Sequence, residues 1–430
     1  MHVSPLQERL RSSAGCQALS RLYGDAPDII QRQMERYDQL IAMSTPSFPA
    51  SAAGDVALFS APGRIEVGGN HTDHNNGRIL AAAINLDTIA AASPTPDGIV
   101  TIHSQGYAQP FVVDTNDLAL RADEHGGSNA LIRGVAAWLR ERGFQVGGFR
   151  ACIRSEVAVG SGLSSSAAFE VLVGTVFNCF YNGGTIAPRD IAMAGRHAEN
   201  KYFGKPSGLM DQMTSAVGGF VTIDFADPTN PLVRQVQADL TAAGLSLVVT
   251  NTGGSHADLT PEYASIPVEM RAAAKALGGQ TLREVSAEKA IERAAELRAQ
   301  VSDRAILRAL HFFGDNDRVA EQVAALEKGD VARFLAQVNE SGQSSWMLLQ
   351  NCYVGGRTEQ GVALALALSE NILRGRGAWR VHGGGFAGTI LACVPNDLLS
   401  AYTARMEGVF GKGAAQVLCV RPAGATRLEI

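Results

Sequence analysis

The run Val159-Gly160-Ser161-Gly162-Leu163-Ser164-Ser165-Ser166-Ala167-Ala168 sets glycines and clustered hydroxyls directly ahead of an apolar stretch that continues to Cys179. Glycines let successive backbone N–H groups turn toward one point, small hydroxyls add donors, and the helix that follows aims its N-terminal dipole at the same place. The run therefore reads as a phosphate cradle on a helix from Leu163 to Cys179, and its plain alternative is a serine-capped helix after a flexible turn. A Walker loop is excluded, because Gly204-Lys205 and Gly411-Lys412 lack the preceding glycine and the following hydroxyl. A dinucleotide fingerprint fits poorly, since Ser165 stands where its third glycine belongs.

The surrounding chain is long enough for two cores. Its 430 residues exceed what a single hydrophobic centre usually takes, and with 46% hydrophobic and 18% charged residues it has ordinary globular composition. Lys plus Arg total 37 against 42 Asp plus Glu, a net charge of −5, which gives no general pull toward nucleic acid or an anionic membrane. Any anionic ligand must be held by local geometry. The cysteines Cys16, Cys152, Cys179, Cys352, Cys393 and Cys419 form no C-x-x-C pair, and no apolar run reaches about 18 residues, so a reduced, cytoplasmic setting is expected.

Helical spacing of Ile29, Ile30, Met34, Tyr37, Leu40 and Ile41 predicts a helix over 28–43 on the outside of the main body. Strands are expected at 56–59, within 78–92, and at 99–102, 218–225, 245–250, 389–394 and 416–420. Helices are expected over 128–142, 287–301, 319–327 and 331–338. The connector Ala226-Asp227-Pro228-Thr229-Asn230-Pro231 marks a domain boundary, and the irregular order of strands and helices argues for mixed layers rather than a doubly wound sheet.

Three further segments concentrate polar chemistry. Ala61-Pro62-Gly63-Arg64-Ile65-Glu66-Val67-Gly68-Gly69-Asn70-His71-Thr72-Asp73-His74-Asn75-Asn76-Gly77 packs an Arg, two His, an Asp and three Asn among glycines, groups that are costly to bury unless each finds a partner. A polyhydroxylated ligand supplies such partners; a polar surface turn is the alternative, and a His71/His74 metal pair lacks supporting Cys or carboxylate spacing. The segment from His197 to Gln212 holds Glu199 and Asp211, one suited to a metal and the other to a substrate hydroxyl, although such carboxylates are more often solvated. His382-Gly383-Gly384-Gly385-Phe386-Ala387-Gly388 could serve as a lipase-type oxyanion loop, but no G-x-S-x-G elbow accompanies it, so close backbone approach is the better reading.

In this order the four segments resemble the galactokinase branch of the GHMP small-molecule kinases. The first is similar to the signature P-G-R-x-N-x-I-G-E-H-T-D-Y, the serine run to G-L-S-S-S-A, Met210-Asp211-Gln212 to M-D-Q, and His382 to Gly388 to T-G-G-G-F-G-G. The resemblance runs from about Ser60 to about Val420. It implies an α+β chain of two mixed α/β domains, S5-like over residues 1–226 and ferredoxin-like over residues 232–430, with the site in the cleft. It also implies an ATP- and Mg²⁺-dependent sugar 1-kinase that takes small-molecule sugar and ATP as partners, with no nucleic acid or membrane partner, as a monomer or weak homodimer.

By that resemblance, Arg64 and Asp211 flank the anomeric hydroxyl, with Asp211 accepting or orienting its proton. Ser166 and Glu199 hold Mg²⁺, while Gly160, Ser161, Gly162, Leu163, Ser164, Ser165 and Ser166 wrap the nucleotide phosphates. His71, Asp73, Gly208 and Tyr263 match sugar-contacting positions, and Asn70 stands where the signature has the Glu that meets the C6 end. An amide still bonds a hydroxyl but no longer repels a carboxylate, so galactose is the first expectation and galacturonate its competitor. His74 replaces the usual Tyr and Ser207 a common Cys, while Ser128 and Leu131 replace a W-x-x-Y pattern, which alters the base pocket. No functional reading attaches to the long stretch from Ile30 to Asp55. Two other classes remain: a non-catalytic sugar and ATP sensor, disfavoured by the intact Ser164 to Ala168, and another GHMP kinase, disfavoured by His71-Thr72-Asp73.

Overall fold

The structure is a computed structural model that describes residues 5–45, 48, 56–158, 162–254 and 259–430. Its strands are β1 (Ala57–Gly68), β2 (Arg78–Thr95), β3 (Ile99–Ser104), β4 (Phe111–Asp114), β5 (Gly148–Ser155), β6 (Phe220–Asp224), β7 (Leu232–Val236), β8 (Leu245–Asn251), β9 (Ala378–Val381), β10 (Thr389–Pro395), β11 (Ala415–Leu418) and β12 (Thr426–Arg427). One sheet runs β12-β1-β2-β5-β3-β4, with β6 also on β2 and β7 on β6; the other runs β11-β8-β10-β9. All pairings are antiparallel except β3 with β5.

The long strand β2 organises the first sheet. Its first residues, Arg78 to Ala82, pair with β6, and its last, Thr88 to Thr95, pair with β5, while β1 lies along its other edge. The small side chains Ala81, Ala82, Ala83, Ala90, Ala91 and Ala92 are all buried, because this strand is covered on both faces. Helices Ser128–Glu141, Ser165–Tyr181 and Pro188–His197 bury Ile132, Val135, Val171, Phe177 and Ile191 against Phe59, Val100 and Phe149. A second core joins the two sheets, with Ile65, Val67, Leu80 and Ile84 meeting Leu247, Leu391 and Leu418.

The predicted first strand extends through the polar signature. Pairing of β1 with β2 shifts register between Pro62 and Arg64, where proline has no N–H to give the ladder. Beyond that bulge Ile65 and Val67 face the shared core, so by strand alternation Arg64 and Glu66 point to the opposite side. The bulge is thus the local device that aims two charged side chains away from the core.

Three expectations about organisation need correction. β7 and β12 both lie in the segment assigned to residues 232–430, yet they pair with β6 and β1 of the first sheet, and Val420 bridges Ile84. The chain end therefore returns to the N-terminal sheet. The expected helix over 287–301 is two short helices, Ala287–Glu292 and Ala294–Arg298, separated at Arg293, whose ψ of 14 leaves the helical range. The expected helix over 319–327 is the end of a longer one, Asp303–Lys328.

The helix predicted over 28–43 spans Pro27–Ser44 and is more than an external decoration. With helix Ser13–Tyr23 it buries Leu19, Leu22, Tyr37 and Leu40 against Leu58, Ile89 and Cys152 of the sheet. Arg36 lies 2.5 Å from Asp87, and Arg421 lies 2.9 Å from the same carboxylate, all of them buried. Burial alone would raise the Asp87 carboxyl, but the two guanidiniums outweigh it and hold it below the usual range. One buried charge thus clamps the N-terminal helices, β2 and the chain end together. Among the described residues the six cysteines form no disulfide, and no helix is long and apolar enough to cross a membrane.

Candidate active site

Arg64 and Asp211 meet beside Gly162 and Ser164 of the serine-rich run. Asp211 enters from the first turn of helix Met210–Val217. Arg64 Nε donates to Asp211 Oδ1 and Nη2 to Oδ2, both at 2.6 Å, the parallel fork of a bidentate pair. Arg64 Nη1 also donates to the Gly162 carbonyl, and its backbone N–H to the Leu163 carbonyl at 3.1 Å. Ser164 Oγ donates to Asp211 Oδ2. Burial works to raise the Asp211 carboxyl, but Arg64 and Ser164 overcome that and hold it below its ordinary value. The result is a carboxylate that stays ionised.

The loop itself carries strain. Ser164 takes the left-handed conformation at φ 65 immediately before helix Ser165–Tyr181, and His71 (φ 59) and Phe386 (φ 60) do the same on neighbouring loops. Non-glycine residues adopt this region at a cost, and its recurrence at one place is characteristic of sites where geometry is imposed by the surroundings. Ser165 and Ser166 open the helix, whose free N–H groups face the loop. The Leu163 side chain is buried and its carbonyl accepts from the Arg64 backbone N–H. Gly160 and Ser161 lie outside the described residues.

Behind this loop stands an acidic cluster. A turn of π-helix, Ala198–Phe203, carries Glu199, which accepts from Ser166 Oγ at 3.1 Å and from Lys205 Nζ at 2.9 Å. Gln212 Nε2 donates to Glu199 Oε2 and to Glu170 Oε2, each at 2.9 Å. Burial, then the Glu199 charge, pushes the Glu170 carboxyl well above the usual range. Glu170 Oε1 and Gln212 Oε1 are buried without a donor. Sequence reading assigned no role to Glu170, Gln212 or Lys205; the only signal was Gln212 in the Met210-Asp211-Gln212 triplet.

The remaining predicted residues line the other side. A Cβ at Gly208 would lie 2.6 Å from Asp73 Oδ2, so only glycine lets that carboxylate approach. Likewise a Cβ at Gly384 would lie 2.1 Å from the Tyr263 ring, whose hydroxyl donates to the Gly385 carbonyl at 2.7 Å. His71 donates from Nε2 to the Gly384 carbonyl at 3.0 Å, leaving Nδ1 buried without a partner. Burial and then the nearby His74 push the His71 imidazole down to about 3, so it is neutral and Nδ1 is an acceptor.

Asn70 departs from expectation. Its side chain is fully buried and saturated: Nδ2 donates to Glu66 Oε1 and to the Gly383 carbonyl, both at 2.8 Å, while Oδ1 accepts from Asn351 Nδ2 at 2.8 Å and from Ser345 Oγ at 3.3 Å. Its backbone is pinned as well, by Asp315 Oδ2 and His311 Nε2 of helix Asp303–Lys328. An amide committed to four protein partners has nothing left for a sugar, and the expected contact with the C6 end is corrected accordingly. Leu131, expected at the base pocket, packs in the core of the first sheet.

The family profile described as galactokinase galactose-binding signature matches residues 47–94, and that of the GHMP kinases N terminal domain matches residues 130–219. A galactokinase of Streptomyces coelicolor is 33% identical over 379 residues, covering 86% of this chain and 94% of that protein. One from Glaesserella parasuis is 31% identical over 342 residues, covering 79% of this chain and 86% of that protein. Lactococcus lactis galactokinase complexed with galactose, at 24% identity, superposes with a TM-score of 0.74 over 91% of this chain and 100% of that one. A mevalonate kinase gives a TM-score of 0.59 at 14% identity, over 85% of this chain and 99% of that one, which extends the shared fold to the wider superfamily. With the Arg64–Asp211 fork set against a serine-rich helix N-terminus, these likenesses make the chain a sugar kinase: it belongs to the galactokinase family of the GHMP kinases.

Proposed function

We propose that this chain transfers the γ-phosphoryl group of ATP to the anomeric hydroxyl of galactose, giving galactose 1-phosphate and ADP. The observation that carries the reading is the bidentate Arg64–Asp211 pair held beside Gly162 and Ser164 of the loop that opens helix Ser165–Tyr181. Asp211 aligns the O1 hydroxyl and takes its proton as the O1–Pγ bond forms and the bond from Pγ to the β,γ-bridging oxygen breaks, with ADP leaving. Phosphoryl transfer through a loose transition state asks little of a base before bond formation, so a carboxylate kept ionised by Arg64 suits the task. Arg64 adds positive charge where the equatorial oxygens gather negative charge.

The donor set also fits Mg²⁺. Ser166 Oγ and Glu199 Oε1 are hard oxygen ligands 3.1 Å apart at the helix N-terminus, and the buried Glu170 and Gln212 acceptors behind them suit metal-bound water. When bound, the ion neutralises charge on the β- and γ-phosphates. Lys205, now on Glu199, sits on a side chain exposed enough to exchange that partner for a phosphate. On the sugar side, Asp73, the Tyr263 hydroxyl oxygen and the free Nδ1 of His71 supply acceptors for ring hydroxyls, and Gly208 keeps room for the Asp73 carboxylate.

The test is Mg²⁺- and sugar-dependent ADP release over galactose, glucose, N-acetylgalactosamine and galacturonate, with ligand binding followed separately by thermal shift. Galactose should give the highest kcat/KM. Binding of sugar and ATP with no ADP release would instead make the chain a sensor, and highest turnover on another sugar would displace galactose.

A further inference from the structure

Three positions at which this chain departs from the galactokinase signature are linked through one of them, Glu66. Glu66 stands at the signature's Asn, Asn70 at its Glu, and His382 at the Thr that opens the glycine run. Asn70 Nδ2 donates to Glu66 Oε1 at 2.8 Å, and the Glu66 backbone N–H donates to His382 Nε2 at 3.1 Å. His382, buried and pushed down to about 3 by burial and then by Arg64, is a neutral acceptor for that N–H, while its Nδ1 pairs with Thr389 Oγ1 at 3.0 Å. The Asn and Glu of the signature have thus changed places, and the negative charge missing at position 70 is present four residues earlier.

That relocated charge is well placed. Arg380 Nη2 donates to Glu66 Oε1 at 2.7 Å, so one carboxylate oxygen carries both protein partners. The other, Oε2, is neither bonded among the described residues nor sealed from solvent, although the side chain as a whole is only 7% exposed. Glu66 projects from β1 on the same side as Arg64, two residues away; burial raises its carboxyl above the ordinary value, and Arg380, then the Asn70 hydrogen bond and Arg64, work against that rise.

We propose that Glu66, rather than the residue at position 70, is the anionic hydroxyl acceptor of the sugar subsite, and that it confines the substrate to neutral sugars. The inference rests on the sugar kinase reading above and specifies its substrate class. Held by the Arg380 guanidinium at 2.7 Å and by Asn70 Nδ2 at 2.8 Å, the Glu66 carboxylate accepts from a hydroxyl and repels a sugar carboxylate, so galacturonate is rejected even though Asn70 is uncharged.

The experiment compares the full-length protein with Glu66→Gln and with the double exchange Glu66→Asn plus Asn70→Glu. It measures kcat and KM on galactose and galacturonate, KM for ATP, and sugar-induced thermal shift. The wild type should favour galactose over galacturonate by about 100-fold or more, the scale of one charged hydrogen bond gained or one carboxylate pair opposed. Glu66→Gln should lower kcat/KM on galactose by roughly 10- to 100-fold, mostly through KM and with KM for ATP unchanged, and narrow the preference by a similar factor. The double exchange, which returns a carboxylate to the same pair, should keep the preference even if Glu66→Gln does not fold. Wild-type turnover of galacturonate to match galactose, an unaltered preference in Glu66→Gln, or a lost preference in the double exchange would each overturn the proposal. Absence of ADP release with every sugar would fell the kinase reading, and this one with it, whereas galactose turnover with an unmoved preference would fell this one alone.

Discussion

Asp211→Asn is expected to lower kcat on galactose by at least about 10³-fold, within the range that a positioned proton acceptor and its charge contribute. KM for ATP and galactose-induced thermal shift should change little. The amide keeps the shape of the carboxylate but can offer Arg64 only one acceptor oxygen, and it turns an N–H₂ toward a guanidinium that now receives two parallel bonds at 2.6 Å. Steady-state kinetics at saturating ATP, with thermal unfolding as the control for folding, check this; turnover within a few fold of wild type would remove Asp211 from the chemistry. The same pairing sets the pH response. Because Arg64 and Ser164 hold the Asp211 carboxyl below its ordinary value, the carboxylate persists as pH falls through the usual carboxylate range, and the acid limb of kcat should appear only below it.

Glu199→Gln should carry the next largest loss, roughly 10²- to 10³-fold in kcat/KM, because a neutral amide is a far weaker ligand for a hard divalent cation than a carboxylate. The Mg²⁺ concentration giving half-maximal rate should rise by at least about tenfold, and a titration of the protein with Mn²⁺ in the presence of ADP should weaken in parallel. Galactose-induced thermal shift should be retained, since Glu199 lies beyond the serine loop, bonded to Ser166, Lys205 and Gln212. An unchanged Mg²⁺ requirement would show that the ion is held elsewhere.

Much of this site could be read along the chain because its chemistry is local. The glycine and serine run announces a helix N-terminus, and the bulge at Pro62-Gly63 lies within the same few residues as the arginine it redirects. Even the remote partner of that arginine was available, since Asp211 sits in a short motif with Gln212. What could not be read was which polar side chains face each other across the fold. Asn70 is saturated by Glu66, Gly383, Asn351 and Ser345, and all but Glu66 lie hundreds of residues away on elements that reach it only after the second sheet packs on the first. The bond between Glu66 and Asn70 spans four residues and was legible in principle: the exchanged Asn and Glu of the signature were the signal. The domain boundary failed for a related reason, because β12 closes on β1 through a pairing that no local pattern near residue 426 encodes. The N-terminal helices were recognisable by spacing, but their anchoring by a buried Asp87 between Arg36 and Arg421 required the folded chain.

The central claim is that the phosphoryl group goes to the anomeric oxygen of a neutral hexose, and the ³¹P spectrum of the product tests it most directly. With galactose, ATP and Mg²⁺ the wild-type protein should yield one sugar phosphate whose resonance couples to the anomeric proton, in equal amount to the ADP formed, and Asp211→Asn should yield none in the same time. A phosphate on any other carbon, or ADP released without a sugar phosphate, would contradict the account.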